Sequence, residues 1–352
     1  MNADSLEFLR RILETPSPSG YEQPVQELVR QYAADFADAI TTDVHGNVIA
    51  SRNADAPLRV MLAGHCDQIG FVVRFIDDQG FLYVQAIGGW DPIVVVGQKL
   101  IVWTGDGPVF GVVARKPIHL LTDEERKQLP KLHDLWLDIG ARDKVEASGL
   151  VDIGDPVTVQ LGFTPMRNNL ASAPAMDNRS GLWVAMEALR RTAGKPLACG
   201  LFAVSTVQEE IGLRGARTST FTVKPHVGIA IDVTHATDCP TIDEKQFGAV
   251  ALGSGPVIFR GPNMNPRVVE RLRRTAAEQN LPTQMGAIGR ASPNDANTIQ
   301  TSRGGVAAGL ISIPNRYMHS PVEMISLDDM DRADDLLAAF ALGLSGDESF
   351  IP

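Results

Sequence analysis

At 352 residues the chain is long enough for one large domain plus a smaller one, and 44% hydrophobic residues exclude a disordered chain. The net charge of −10 argues against a nucleic-acid partner, whose phosphates require a basic face. Cys66, Cys199 and Cys239 are scattered, odd in number and without a CxxC pair, which fits a reducing compartment and excludes a disulfide framework or a thiolate zinc site.

The N-terminal stretch MNADSLEFLRRILE reads as an amphipathic helix with acidic residues, not as a signal peptide. No apolar stretch reaches the length of a membrane span. The expectation is a soluble, cytoplasmic protein with no membrane partner. Ser19 and Glu22 are spaced as a capping box, followed by Val25, Leu28, Val29, Tyr32 and Phe36 at helical spacing. TTDVHGNVIASR reads as a hairpin turning at His45-Gly46-Asn47, and residues 58–64 as a buried strand that delivers His65 at its end.

After Gly70 the pattern changes. Short β-like runs (FVVRFI, FLYVQAI, KLIVWT, PVFGVVA, PVTVQLGF) are broken by Gly, Asp and Pro turns up to about residue 163, with one helical piece introduced by Thr122 and Glu125. This reads as a small β-barrel or sandwich inserted into a host fold. From Ala171 the α/β alternation returns: a helix over 178–192, a strand over 197–207 ending at Gln208-Glu209-Glu210, and a strand over 226–233 carrying Asp232. A helix over 266–280, a strand over 306–313 and a helix over 327–343 follow. The predicted fold class is α/β, a mixed-sheet domain with helices on both faces. It is built from 1–70 and 164–352 and interrupted by a β-rich domain over 71–163.

His65, Asp177, Glu210, Asp232 and His319 occur in that order, each at the end of or beside an apolar run, with Glu209 next to the third. Read alone, each has an ordinary explanation. Asp177 can be a helix N-cap, paired acids usually mark a solvated loop, and a histidine in a polar loop is usually a surface residue. Asp232 is the least ordinary, because a carboxylate in a buried strand is costly unless paired or bound to a metal. Together they suit two divalent cations bridged by one aspartate, each completed by a histidine and a further carboxylate. The remaining glutamate would handle protons, which is equipment for hydrolysing an amide with an activated water. Asp67, two residues beyond His65, shares its face in extended chain and suits the orienting of its imidazole. His235 is read as a supporting or structural residue.

The stretches GHCDQIGF (64–71), IGGWDP (87–92), VGQKLIV (96–102), KPIHLLTDEERKQLPKL (116–132), DIGA (138–141), AMDNRSG (175–181), VQEEIGLRGA (207–216), AIDVTHA (230–236) and ISIPNRYMHSPVE (311–323) resemble those of the glutamyl or deblocking aminopeptidases. These are also called tetrahedral aminopeptidases, and some relatives go by the name endoglucanase M. The resemblance covers nearly the whole chain. It implies that His65, Asp177 and Asp232 hold one metal and that Asp177, Glu210 and His319 hold the other. It further implies Glu209 as general base and Asp67 as the residue steering His65. The cofactors implied are two divalent ions per chain, zinc first, with cobalt or manganese as alternatives. An inserted β-barrel would mediate homo-oligomerisation, commonly into dodecamers, and apolar surface around Trp90, Pro92 and Ile93 is the expected contact. Two departures bear on substrate preference: Gln68 stands where relatives commonly have an acid, and GRASPNDANTIQ (289–300) matches their Gly-Thr-Asp-Ala pattern only loosely.

The expected activity is removal of N-terminal residues from short peptides. A di-metal deacylase or carboxypeptidase shares the ligand order, but such relatives carry their extra domain before the last histidine, whereas the β-rich stretch here lies between His65 and Asp177. A glycoside hydrolase with two carboxylates would have no use for the histidines. A non-catalytic assembly protein would have no use for the full ligand set.

Overall fold

The computed structural model describes residues 1–352. Two helices, α1 (Ala3–Leu13) and α2 (Gln23–Ala33), open the chain. A hairpin of β1 (Ala39–Thr42) and β2 (Val48–Arg52) follows, then the buried strand β3 (Arg59–His65). The hairpin turns where expected, with the Asp43 side chain accepting the backbone N–H groups of His45 and Asn47. Ser19 and Glu22 do not cap α2, which begins just after Glu22 with Pro24 in its first turn. Ser19 Oγ instead donates to Asp67 Oδ2 at 2.7 Å, and Glu22 Oε1 accepts the N–H groups of Gly20 and Gln208. The spacing of a capping box is there, but both side chains are drawn off by tertiary partners.

Six strands then close into an antiparallel barrel ordered β4-β5-β8-β7-β6-β9. They are β4 (Gly70–Ile76), β5 (Leu82–Ile87), β6 (Lys99–Thr104), β7 (Gly107–Ala114), β8 (Trp136–Asp138) and β9 (Pro156–Val159), with the short helices α3 (Pro92–Val95) and α4 (Lys144–Ser148) between them. Phe71, Leu82, Leu100, Val102, Leu137 and Val157 fill its interior, a core separate from that of the rest of the chain. Thr122 and Glu125 do bond reciprocally, at 2.7 and 3.2 Å, but they enclose a single 3₁₀ turn, Glu125–Lys127. Pro130 excludes helical geometry at Leu129, so the turn cannot grow into the expected helix.

The remaining elements are β10 (Thr164–Pro165), β11 (Leu170–Ser172), α5 (Met176–Arg191), β12 (Gly200–Thr206), α6 (Arg214–Val223), β13 (Val227–His235) and α7 (Glu244–Phe247). After them come β14 (Val257–Arg260), α8 (Pro266–Glu278), β15 (Gln284–Ala287), α9 (Asp295–Gln300), β16 (Ala307–Arg316), β17 (Met324–Ser326) and α10 (Leu327–Leu342). They complete a mixed eleven-stranded sheet in which β12, β3, β13 and β16 run parallel at the centre. These central strands are buried almost throughout, as their unbroken apolar runs require when helices cover both faces.

Strand alternation shows how the faces are covered. Gly64 and Gly309 lie on one face; a Cβ on Gly64 would sit 2.4 Å from the Gly181 carbonyl carbon of α5, and one on Gly309 would sit 2.8 Å from Val268 of α8. Gly228 lies on the other face, where a Cβ would meet Ile299 of α9 at 2.4 Å. The backbone contact at Gly64 draws the start of α5 down onto the end of the sheet. No helix is long and apolar enough to cross a membrane.

Candidate metal centre

In a parallel sheet, reactive groups gather beyond the C-terminal ends of the strands. His65 is the last residue of β3, Glu209 and Glu210 follow β12, and His319 follows β16. Ala63 pairs with Ala230, so two residues further on His65 stands beside Asp232 on the same face. Asp177 enters from α5, whose first residues are not helical: Asp177 has φ −79° and ψ 103°, and its peptide bond to Asn178 is cis.

These six side chains converge. Asp177 lies between the two histidines, Oδ1 3.2 Å from His65 Nε2 and Oδ2 3.3 Å from His319 Nε2. Glu209 Oε2 and Asp232 Oδ1 each stand 3.8 Å from His65 Nε2, and Glu210 Oε2 stands 3.6 Å from His319 Nε2. Two groups of donor atoms, His65–Glu209–Asp232 and His65–Asp177–Glu210, fall within 4.8 Å of one another. Both imidazoles are oriented from behind by carbonyl oxygens. His65 Nδ1 lies 3.0 Å from the Asp67 carbonyl and His319 Nδ1 2.9 Å from the Gly89 carbonyl. A carbonyl only accepts, so Nδ1 carries the hydrogen in each ring and Nε2 faces the carboxylates.

Asp67 acts in two ways. Its carbonyl holds His65, while its carboxylate, 3.5 Å from His65 Nδ1, accepts the main-chain N–H groups of Glu209 at 3.0 Å and Glu210 at 3.2 Å. The turn bearing both glutamates is thus fixed to the turn bearing His65.

The electrostatics are those of crowded, buried acids around two imidazoles. Burial pushes the carboxyls of Glu209 and Glu210 well above the usual range, reinforced by neighbouring carboxylates, and pushes Asp232 up to about 7. Burial also opposes ionisation of Asp177, but the bonds from His319 and His65 outweigh it and hold that carboxyl below the usual range. His319 is raised to about 9, chiefly by its bond to Asp177. His65 is raised against the effect of burial by Glu209, Asp177 and Asp67. Glu210 Oε1 is buried with no hydrogen-bond partner. Crowded buried carboxylates facing two ring nitrogens, one of them with a free oxygen, fit divalent cations ligated by N and O atoms.

A family profile described as M42 glutamyl aminopeptidase matches residues 46–336. The chain belongs to the M42 glutamyl aminopeptidase family. Among its relatives, the lysyl aminopeptidase of Pyrococcus furiosus is 37% identical over 95% of either chain. The TET aminopeptidase of a marine sediment thaumarchaeon superposes with a TM-score of 0.92 at 33% identity, covering 97% of this chain and 98% of that one. The Pyrococcus horikoshii TET1 peptidase, described as able to assemble into a tetrahedron or a large octahedral shell, superposes with a TM-score of 0.86 at 30% identity over 97% of this chain and 100% of that one.

Other residues of this M42 chain reach the centre without having stood out in the sequence. Glu323, 2% exposed, accepts the main-chain N–H groups of Asp177 and His319, and burial raises its carboxyl to about 8. Asp295 opens α9 inside the loosely matching 289–300 stretch. It takes the Thr206 hydroxyl at 2.7 Å, and burial lifts it to about 6. Gly89 comes from the barrel. His235, expected in a supporting role, is exposed at the end of β13. Gln68, expected to bear on substrate preference, is buried away from the cluster, its Oε1 accepting from the fully buried Arg179. An HxDx run alone does not say which way its fourth side chain turns.

Proposed function

We propose that this chain is a metal-dependent aminopeptidase that removes N-terminal residues from short peptides. The observation that carries the reading is Asp177, which offers one carboxylate oxygen to each histidine. His65, Asp177 and Asp232 would hold one divalent cation, and Asp177, Glu210 and His319 a second. Zinc is the first candidate, with cobalt or manganese as alternatives. When bound, such ions supply Lewis acidity and lower the pKa of a water toward neutrality.

The protein's own contribution is proton handling and placement. Glu209 is fixed through its main-chain N–H on Asp67, and its carboxylate faces His65 Nε2 at 3.8 Å. Its raised pKa suits a group that takes a proton from the attacking water and passes it to the leaving amine nitrogen. Asp67 holds the Glu209–Glu210 turn and the His65 ring in one register. The remaining negative charge attracts a free N-terminal ammonium and repels a C-terminal carboxylate, which favours an aminopeptidase over a carboxypeptidase.

Self-association through the barrel unit, residues 71–163, belongs to the same reading, with a dodecamer as the assembly the family implies. Trp90 stacks on Phe71 with ring centroids 4.9 Å apart, so it is less available as a contact than expected. Ile93, Phe110, Ile118, Leu120 and Leu129 supply exposed apolar surface on this unit.

A peptide and its N-acetylated copy, incubated with the metal-loaded protein and followed by mass spectrometry, test the activity. Stepwise loss from the free N-terminus alone is expected. Equal cleavage of both, or release from the C-terminus, rejects the assignment.

A further inference from the structure

We propose that Glu323 is a positioning residue of the metal centre, holding the main chains of Asp177 and His319 with the two oxygens of one carboxylate. The inference rests on the two-cation reading above and extends it to a residue outside the ligand set. Glu323 Oε2 accepts the N–H of Asp177 at 3.0 Å, and Oε1 accepts the N–H of His319 at 2.8 Å. Its own carbonyl accepts the N–H of Ala173 at 3.1 Å. The bonds from Asp177 and Ala173 tie the loop between β16 and β17 to the passage leading into α5, and the bond from His319 closes that loop on itself; the two segments, far apart in sequence, contribute the proposed bridging aspartate and second histidine.

Neither N–H has an intrahelical or sheet partner to fall back on. Asp177 is outside helical geometry, and His319 has φ +59°, a left-handed conformation that a histidine keeps only when its surroundings hold it. The bond from Asp177 is buried, so that N–H, once released, would not be recovered by solvent, while the bond from His319 is part-buried. The chemistry requires a carboxylate and not merely its shape. Both oxygens of Glu accept, whereas glutamine of the same size has one accepting oxygen and an NH₂ that would face an N–H. The cation position shared by Asp177, Glu210 and His319 draws two of its three ligands from main chain that Glu323 holds. The position formed by His65, Asp177 and Asp232 draws one. The loss should therefore be unequal.

The test compares the full-length wild type with Glu323→Gln and Glu323→Asp in two measurements. In the first, metal-stripped protein is titrated with zinc against a chromophoric chelator. Wild type is expected to take two ions, and Glu323→Gln should bind one of them about ten- to a hundredfold more weakly while the other is little changed. Glu323→Asp keeps two accepting oxygens and should recover part of the loss. In the second, amide hydrogen exchange of the metal-free protein should be faster in the 316–324 segment of Glu323→Gln and unaltered in α8. Equal weakening of both ions together with a lowered melting temperature would show a merely structural role and overturn the proposal. So would unchanged exchange with unchanged affinities. If wild type binds no zinc, the two-cation reading fails, and the exchange measurement still decides whether Glu323 holds the two amides. If Glu323→Gln does not fold, the same comparison is made with Glu323→Asp, whose shorter side chain must show the faster exchange.

Discussion

Exchanging either of the adjacent glutamates for glutamine keeps its size, and the proposed roles give the two exchanges opposite consequences. Glu209 is anchored through its main-chain N–H, so Glu209→Gln breaks no side-chain bond that the fold depends on. Burial pushes the Glu209 carboxyl well above the usual range against the attraction of His65, so a neutral glutamine in its place should cost the metal-free protein little stability. What Glu209→Gln would lose under the proposed mechanism is the proton carrier. An acid–base group contributes about 10²–10⁴ in rate, or about 2.7–5.4 kcal/mol of barrier. Glu210 stands with Oε2 3.6 Å from His319 Nε2 and Oε1 buried without a partner, so Glu210→Gln would remove one of the two carboxylates proposed for the second cation. Zinc content by elemental analysis, measured beside kcat on an aminoacyl fluorogenic amide, separates the two effects. Glu209→Gln should keep its metal and lose turnover by a factor of hundreds or more. Glu210→Gln should lose metal first and recover turnover in part as zinc is raised. A Glu209→Gln protein that loses metal while keeping its rate per bound ion would show the roles to be reversed.

Two further outcomes follow from the charge balance and the surface. In metal-free protein, burial keeps Asp232 up to about 7 against 3.8, so the folded state retains a proton that the unfolded chain has lost. Stability should fall as pH rises through that window. His319, raised from 6.5 to about 9, has the same sign: its stabilisation is complete below 6.5 and lost as pH rises through 9. Cations replace those protons, so the gain in melting temperature on adding zinc should grow between pH 5.5 and 7.5, and a flat or shrinking gain in scanning calorimetry would contradict this account. Light scattering at micromolar concentration should give a multiple of the 38.0 kDa chain mass. A monomer mass rejects self-association, while a stable dimer rejects only the larger shell.

The parts of the site legible in the sequence are those that interrupt an apolar run. His65 closes the strand 59–65, Glu209 and Glu210 follow a strand of seven buried residues, and Asp232 lies within another, so local pattern alone singles them out. Residues that act by bonding loop main chain leave no such mark. Glu323 follows His319 by four positions in a polar loop and reads as solvated; it is buried all the same, with the N–H groups of Asp177 and His319 on its carboxylate. Ser19 and Glu22 gave a genuine local signal whose tertiary partners were stronger. The barrel was visible from its turn density, but β8 was not, since three residues are too few to establish alternation.

The least legible contribution comes from the barrel itself. The Gly89 carbonyl that orients His319 lies 230 positions away in sequence. It can reach the ring because the chain leaving β5 is made of glycines. Gly88 has φ +74°, and a Cβ there would meet Ile69 at 2.6 Å and Glu210 Oε2 at 3.4 Å; a Cβ on Gly89 would stand 3.3 Å from His319 Nδ1. Side chains at these positions would push the barrel loop back from the sheet and free the His319 ring to turn. The barrel therefore does more than stand beside the helix-flanked sheet. Its β5 end closes the side of the centre that the parallel strands leave open, and the orientation of one histidine depends on where the barrel sits.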